Sequence, residues 1–209
     1  IGLRFEMFGF WLDLFGLSLI FTILCFVVLQ IIFNMYDGIN LQSAIYYSII
    51  LLYLIIRNQN NAFSIFCILT LINLIFFAFY NYKQKIFLGD NGVYIFSFIL
   101  ALLIIKTYQI EKMNFYVEEI LIIFFIPFID ALRLFFKRLI RNNNPFYGDR
   151  KHLHHILSNK FGLIKTNLLL IFPLFFSLIL ISQTTINLTI ILGLNFIMYV
   201  YLLKYIKNG

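Results

Sequence analysis

Ala62-Phe-Ser-Ile-Phe-Cys-Ile-Leu-Thr-Leu-Ile-Asn-Leu-Ile-Phe-Phe-Ala-Phe-Tyr-Asn-Tyr82 runs its whole length without a charged side chain. It meets the requirement of roughly 20 apolar residues for a helix that crosses a bilayer. Residues 14–33 repeat the pattern, with Gln30 as their main polar group. Residues 41–56 and 166–182 are slightly shorter but uncharged, and 186–203 form the last such stretch. Residues 115–136 are long enough, yet carry Glu118 and Glu119 at one end, Pro127 in the middle and Asp130 beyond it. Residues 92–105 suit a short, tilted or partly re-entrant helix better than a full crossing. The expectation is an all-α polytopic membrane bundle of about seven transmembrane helices.

Composition agrees. Hydrophobic residues make up 62% of the chain and charged residues 12%, against a charged fraction of about 25% in soluble domains. A soluble globular domain is thereby excluded. Cys25 and Cys67 each sit in an apolar run and read as small hydrophobes rather than a disulfide or metal pair. No charged segment followed by a cleavage site opens the chain, so no signal peptide is expected.

Lysine and arginine fix the expected orientation, because positive loops stay on the cytoplasmic side. With seven crossings, twelve of the sixteen basic residues fall on one side. The loops at 34–40, 83–92 and 134–165 and the C-terminus are therefore expected in the cytoplasm, in a multi-pass cytoplasmic (inner) membrane protein. The stretch before residue 14 is expected outside.

That topology puts three polar patches on one face: Asn34-Met-Tyr-Asp37-Gly-Ile-Asn40, Phe87-Leu-Gly-Asp90-Asn-Gly92, and Pro145-Phe-Tyr-Gly-Asp-Arg150-Lys151-His152-Leu-His154-His155. Asp37 and Asp90 are hard oxygen ligands suited to Mg²⁺, which prefers one or two acids plus substrate phosphates. The third patch holds all three histidines and adds positive charge for a pyrophosphate. Together they suggest phosphoryl transfer between a soluble phosphorylated donor and a lipid. Plainer readings stand beside this one. Asp-Gly after a helix also makes a turn or cap. Arg133, Lys137 and Arg141 share a helical face that suits lipid contact. His152 and His155 would share a face for zinc, but lack further ligands to complete a tetrahedral set. Asp130, an intramembrane acid, is a functional candidate or a partner for Arg133 one turn on.

The motifs resemble those of the polyprenyl-phosphate N-acetylhexosamine-1-phosphate transferases (glycosyltransferase family 4), which include phospho-N-acetylmuramoyl-pentapeptide transferase. The first patch resembles the family's Asn-x-x-Asp-Gly-x-Asp/Asn loop, the second its Phe-Met/Leu-Gly-Asp-x-Gly loop, and the third its His-x-His-His signature. Pro127-Phe-Ile-Asp130, followed by an arginine-rich helix, also resembles the family pattern. The likeness covers residues 14–203 and is closer to the branch that primes O-antigen and teichoic acid than to the muramoyl-pentapeptide branch. It implies transfer of N-acetylhexosamine 1-phosphate from a UDP-sugar to undecaprenyl phosphate, with release of UMP, to initiate cell-envelope polysaccharide. The implied cofactor is Mg²⁺, with Mn²⁺ as a substitute. Asp90 would be the metal ligand and Phe87 would stack on uracil. Asn34, Asp37 and Asn40 would line the site. His152, His154 and His155, with Arg150 and Lys151, would hold the diphosphate, and Asp90, Asp37 and His154 are the implied catalytic set.

Three departures stand out: Asn40 where many members have Asp, Val93 where many have Ser, and Leu41-Gln42 in place of Gly-Leu. The family's Asp-Asp pair occurs nowhere in residues 1–209. The chain is therefore expected to be the C-terminal portion of such a transferase, inactive alone. The other reading is a non-catalytic membrane protein that binds prenyl phosphate or a partner enzyme. A transporter, which needs several intramembrane charges, fits least. The expected partners are the UDP-sugar, the prenyl phosphate and the bilayer. No nucleic acid is expected, and a homodimer is left open.

Overall fold

In a computed structural model, residues 4–7, 10–13, 15–58, 60–110, 116–145, 151–183 and 187–207 are described. A two-stranded antiparallel hairpin, β1 (Arg4–Met7) and β2 (Phe10–Asp13), pairs Arg4 with Asp13 and Met7 with Phe10. A 3-10 turn at Phe15–Leu17 leads into eight helices: α1 (Ser18–Tyr36), α2 (Gln42–Arg57), α3 (Asn61–Tyr82), α4 (Gly89–Ile110), α5 (Val117–Ile123), α6 (Phe125–Ile140), α7 (Leu153–Gln183) and α8 (Leu188–Lys207). The hairpin apart, the described elements are helical, as expected.

Five helices, α1, α3, α4, α7 and α8, are long and apolar enough to cross a membrane. They present to the outside what a soluble protein would bury. Ile20 on α1, Phe76 on α3 and Leu168 on α7 are each more than 60% exposed, a pattern that is stable only with lipid as the solvent. The shorter apolar helix α2 is well enclosed: Tyr46, Tyr47, Ile50 and Leu54 are buried, and it packs on α3, α4 and α7. Phe33 of α1 makes aromatic contacts with Tyr46, Tyr47 and Phe124, with centroids 4.8 to 5.9 Å apart, each worth about 0.5–1.5 kcal/mol beyond burial.

The structure differs from the sequence reading in three places. The stretch 92–105 is part of a full-length helix, α4, which begins at Gly89. The single span expected over 115–136 is instead two helices that meet at Phe124. Proline explains the second difference. Pro127 has no N–H to offer the Ile123 carbonyl one turn back, and that carbonyl accepts the Tyr46 hydroxyl at 2.6 Å instead. The third is the basic loop at 134–165, most of which is helical. α6 runs to Ile140 and α7 starts at Leu153, with a break at Gly162 (φ 76°, ψ 174°) before its longer apolar part.

The two ends of the bundle differ in chemistry. At one, Glu119 of α5 accepts from Tyr53 and, at 3.2 Å, from Arg57, both on α2. Asn58 Nδ2 donates to Thr107 Oγ1 at 3.0 Å, tying α2 to α4. At the other end Leu41, just before α2, lies in the left-handed region at φ 69°. Its N–H donates to Asn81 Oδ1 at 2.6 Å, and Asn81 Nδ2 donates to the Ile86 carbonyl. A branched side chain in that region costs about 1–2 kcal/mol, while glycine there costs about 0.5–1 kcal/mol of extra chain entropy. Leu41→Gly is therefore expected to hold or raise the melting temperature of the detergent-solubilised protein. Leu41→Ala, which keeps a Cβ and loses packing, should lower it; the reverse order would mean that the turn carries no strain.

Candidate active site

The end of α1 and the start of α4 form the first half of the site. Asn34 lies on the last turn of α1 and Asp37 follows it as the C-cap, with its N–H on the Phe33 carbonyl at 2.9 Å. α4 opens at Gly89 (φ 65°), a conformation that favours glycine, so that Asp90 stands in its first turn. Asn34 Nδ2 donates to Asp90 Oδ1 at 2.9 Å. The first two sequence patches thus meet through a direct bond. Between them lies a cavity of about 270 Å³ lined by Asn34, Asp37, Asn40, Ser43, Asn81, Phe87 and Asp90 among others. Phe87 is 73% exposed, a flat apolar face offered to solvent beside the carboxylates.

The third patch closes on the same loop. His154 is buried, and a Cβ built on Gly38 would fall 1.9 Å from its Nε2. Only glycine at position 38 admits the imidazole this close. The His154 ring stacks on His152 at 5.4 Å with planes 7° apart, and His155 packs against it at 4.3 Å. His154 Nε2 is buried without a hydrogen-bond partner among the described residues.

Behind the histidines sits Asp130. Its Oδ1 accepts from Arg133 Nη2 at 2.8 Å and from the Tyr199 hydroxyl at 3.0 Å. Its Oδ2 faces His152 Nδ1 at 3.0 Å and accepts the Leu153 amide at 3.2 Å. The pairing with Arg133 expected from their spacing is present, and two further elements join it.

Of the residues singled out in the sequence, Asn34, Asp37, Asn40, Phe87 and Asp90 share the cavity, and His152, His154 and His155 pack behind its loop. Lys151 does not reach it. Lys151 lines a second cavity of about 360 Å³ with Leu134, Lys137, Arg138, Arg141, Asn143 and Asn144. Arg150 lies outside the described residues. Sequence reasoning missed Asn81, Ser43, Asn167 and Tyr199. Asn167 Nδ2 donates to the Asn40 carbonyl at 3.0 Å. A polar residue at the end of an apolar run was the available signal for Asn81 and Asn167; Tyr199 had none.

Two carboxylates, three carboxamides and a hydroxyl are hard oxygen donors, which fits Mg²⁺ when substrate phosphates complete the shell. Among the described residues no group of three or more His, Cys, Asp or Glu is arranged to hold a metal, so protein ligands alone would leave such an ion mostly hydrated or phosphate-bound. Burial pushes the Asp37 carboxyl above its ordinary value; the Ser43 hydroxyl opposes this and the charge of Asp90 adds to it. A cation between the two acids would relieve the repulsion.

These features define a polytopic membrane protein with an oxygen-lined, two-carboxylate site at one end of its bundle. Residues 3–108 match the family described as Glycosyl transferase family 4, and the chain belongs to that family. An undecaprenyl-phosphate alpha-N-acetylglucosaminyl 1-phosphate transferase of Thermotoga maritima is 30% identical over 167 residues, 78% of this chain and 52% of the relative. Proteins of the same name from Salmonella typhi and Pasteurella multocida are 31% and 30% identical over 36% and 37% of this chain, and 20% and 22% of their own lengths. The chain thus spans about half the length of the Thermotoga relative and about a fifth of the other two. No solved structure matches it.

The close approach at Gly38 is directly testable. Gly38→Ala is expected to displace His154 and to cost about 1–3 kcal/mol as overpacking. Gly193→Ala, whose Cβ would meet nothing within 4 Å, should be neutral or stabilising. Thermal melts of the two variants moving the same way would show that the Gly38 contact is soft.

Proposed function

We propose that the full-length protein transfers N-acetylhexosamine 1-phosphate from a UDP-sugar to undecaprenyl phosphate and releases UMP. Membership of the family and the relatives' names support this reading. The observation that carries it is the Asn34–Asp90 bond, which joins two sequence-distant acidic patches around one cavity.

In the reaction, an oxygen of the lipid phosphate attacks the phosphorus attached to the sugar. The bond from that phosphorus to the bridging oxygen breaks, and its electron pair leaves with UMP. Phosphoryl transfer of this kind depends chiefly on positioning and charge stabilisation. Asp37 and Asp90 would hold Mg²⁺, which supplies positive charge to the phosphate oxygens when bound. Phe87 offers a face on which uracil can stack. Asn34 holds Asp90 in place, and Asn40 offers a carboxamide to the sugar or phosphate. His154, whose Nε2 lies against Gly38 of the Asp37 loop, would be the imidazole that reaches the diphosphate, with His152 and His155 beside it.

The arrangement at a bilayer suits a reaction with one soluble and one lipid substrate. The excess of lysine and arginine on one side supports a cytoplasmic site, where UDP-sugars are present. The reading also includes an acidic pair elsewhere in the full-length protein, since residues 1–209 contain no Asp-Asp.

Asp90→Asn or Asp37→Asn in the full-length protein should lower UMP release from UDP-N-acetylhexosamine by about 10²-fold or more, the scale of losing a charge-stabilising group. Chelation of divalent ions should stop it reversibly. Retained turnover in Asp90→Asn would reject the site. Binding of prenyl phosphate with no UMP release by the wild-type protein would favour a non-catalytic binding role.

A further inference from the structure

Asp130 is not among the residues lining the cavity, is 5% exposed, and nevertheless collects four partners from three parts of the chain. Arg133 reaches it from the same helix, Tyr199 from α8, and His152 and the Leu153 amide from the start of α7. Arg133 doubles the connection, because its Nε donates to the Tyr199 hydroxyl at 2.8 Å and its Nη2 to the Lys151 carbonyl at 3.0 Å. A counter-ion for Arg133 would need only one of these bonds. Tyr199 apart, the remaining ones fall on residues 151–153, immediately before His154.

We propose that Asp130 is the positioning residue of the histidine cluster: it holds His152 by Nδ1 and the start of α7 by the Leu153 amide, and so sets His154 against the Asp37-Gly38 loop. The inference rests on the transferase reading and deepens it.

The geometry determines what Asp130 can do to an imidazole. An ionised carboxylate only accepts hydrogen bonds. Here a guanidinium, a hydroxyl and an amide already donate to it. The His152 nitrogen facing it therefore carries a proton, and Nε2 is left for a ligand. The second hold, on the Leu153 amide, fixes the backbone, so the His152 ring can turn neither about its side chain nor with its helix. The ring of His154 stacks on this fixed plane. His154 is thereby pressed to the point where position 38 must be glycine. Asp130 touches neither substrate nor metal, and acts through His152.

A double-mutant cycle in the full-length protein separates this from a merely structural ion pair. Asp130→Ala and His152→Ala should each lower turnover about 10–100-fold, the usual effect of removing a supporting partner, with a smaller change in KM for the donor. The double variant should be no more than about twofold worse than the poorer single one, because residues acting as a unit are not additive. Penalties that multiply, or an Asp130→Ala protein of full activity, would overturn the proposal. Should Asp130→Ala not fold, Asp130→Asn, which keeps the volume, carries the same cycle.

Nitrogen-15 NMR of labelled histidines supplies a readout besides activity. His152 should show a protonated Nδ1 in the wild-type protein and lose that signature in Asp130→Asn. An unchanged signal would reject Asp130 as the positioning group even if the transferase reading stands. Absence of UMP release by the wild-type protein would reject the transferase reading and leave the NMR result to decide the role of Asp130.

Discussion

A carboxylate carried into a bundle of apolar helices must find its hydrogen-bond donors inside the protein, because the lipid around it has none. Asp130 meets that constraint by drawing on three helices at once. Removing one partner of such a buried charge costs about 3–5 kcal/mol, far more than an exposed pair would. The position of α6 is therefore tied to those of α7 and α8, and the bond that ties it also holds the first residues of the histidine turn. Stability and site geometry depend on the same oxygen atoms.

From that anchor the site builds in two directions. The stacked rings of His152 and His154 extend it to Gly38, and so to the loop that carries Asp37. Asn81 supports that loop from α3 by accepting the Leu41 amide while donating to the Ile86 carbonyl. Because Ile86 precedes Phe87 and the Gly89 turn, one side chain braces both acidic patches. Asn34 then spans them directly. The opposite end of the bundle has its own brace, in which Glu119 takes two donors from α2. That brace joins α2 to α5.

An open cavity beside two carboxylates suits a reaction between phosphates. The protein supplies few charges to it and leaves the rest to substrates and metal, which is how Mg²⁺ is usually held. The His154 Nε2 beside the Gly38 loop is a polar group with a bond still to make. Such groups are costly in a resting structure and are repaid when a ligand supplies the missing partner.

Much of this was legible in the residues. Uncharged apolar runs marked the crossings, because a spanning helix must be long and apolar whatever its neighbours. The three patches were visible because polar residues between such runs are few, and a family resemblance could be read from them in order. The α5/α6 break was half visible: Pro127 marked it, but the Tyr46 hydroxyl that takes up the freed carbonyl comes from a distant helix. The full extent of α4 was obscured, since Gly89, Asp90 and Asn91 read as loop until their backbone is seen in the first turn. Which patch residues touch was not written locally at all. Sequence by itself determined the membrane setting, the helical class and the oxygen and imidazole chemistry, all of which follow from residue type and short-range spacing. Tertiary structure alone decided that Asn34 meets Asp90, that Lys151 faces a different cavity, and that Asp130 holds the histidines, because these depend on how helices far apart in the chain turn their faces toward one another.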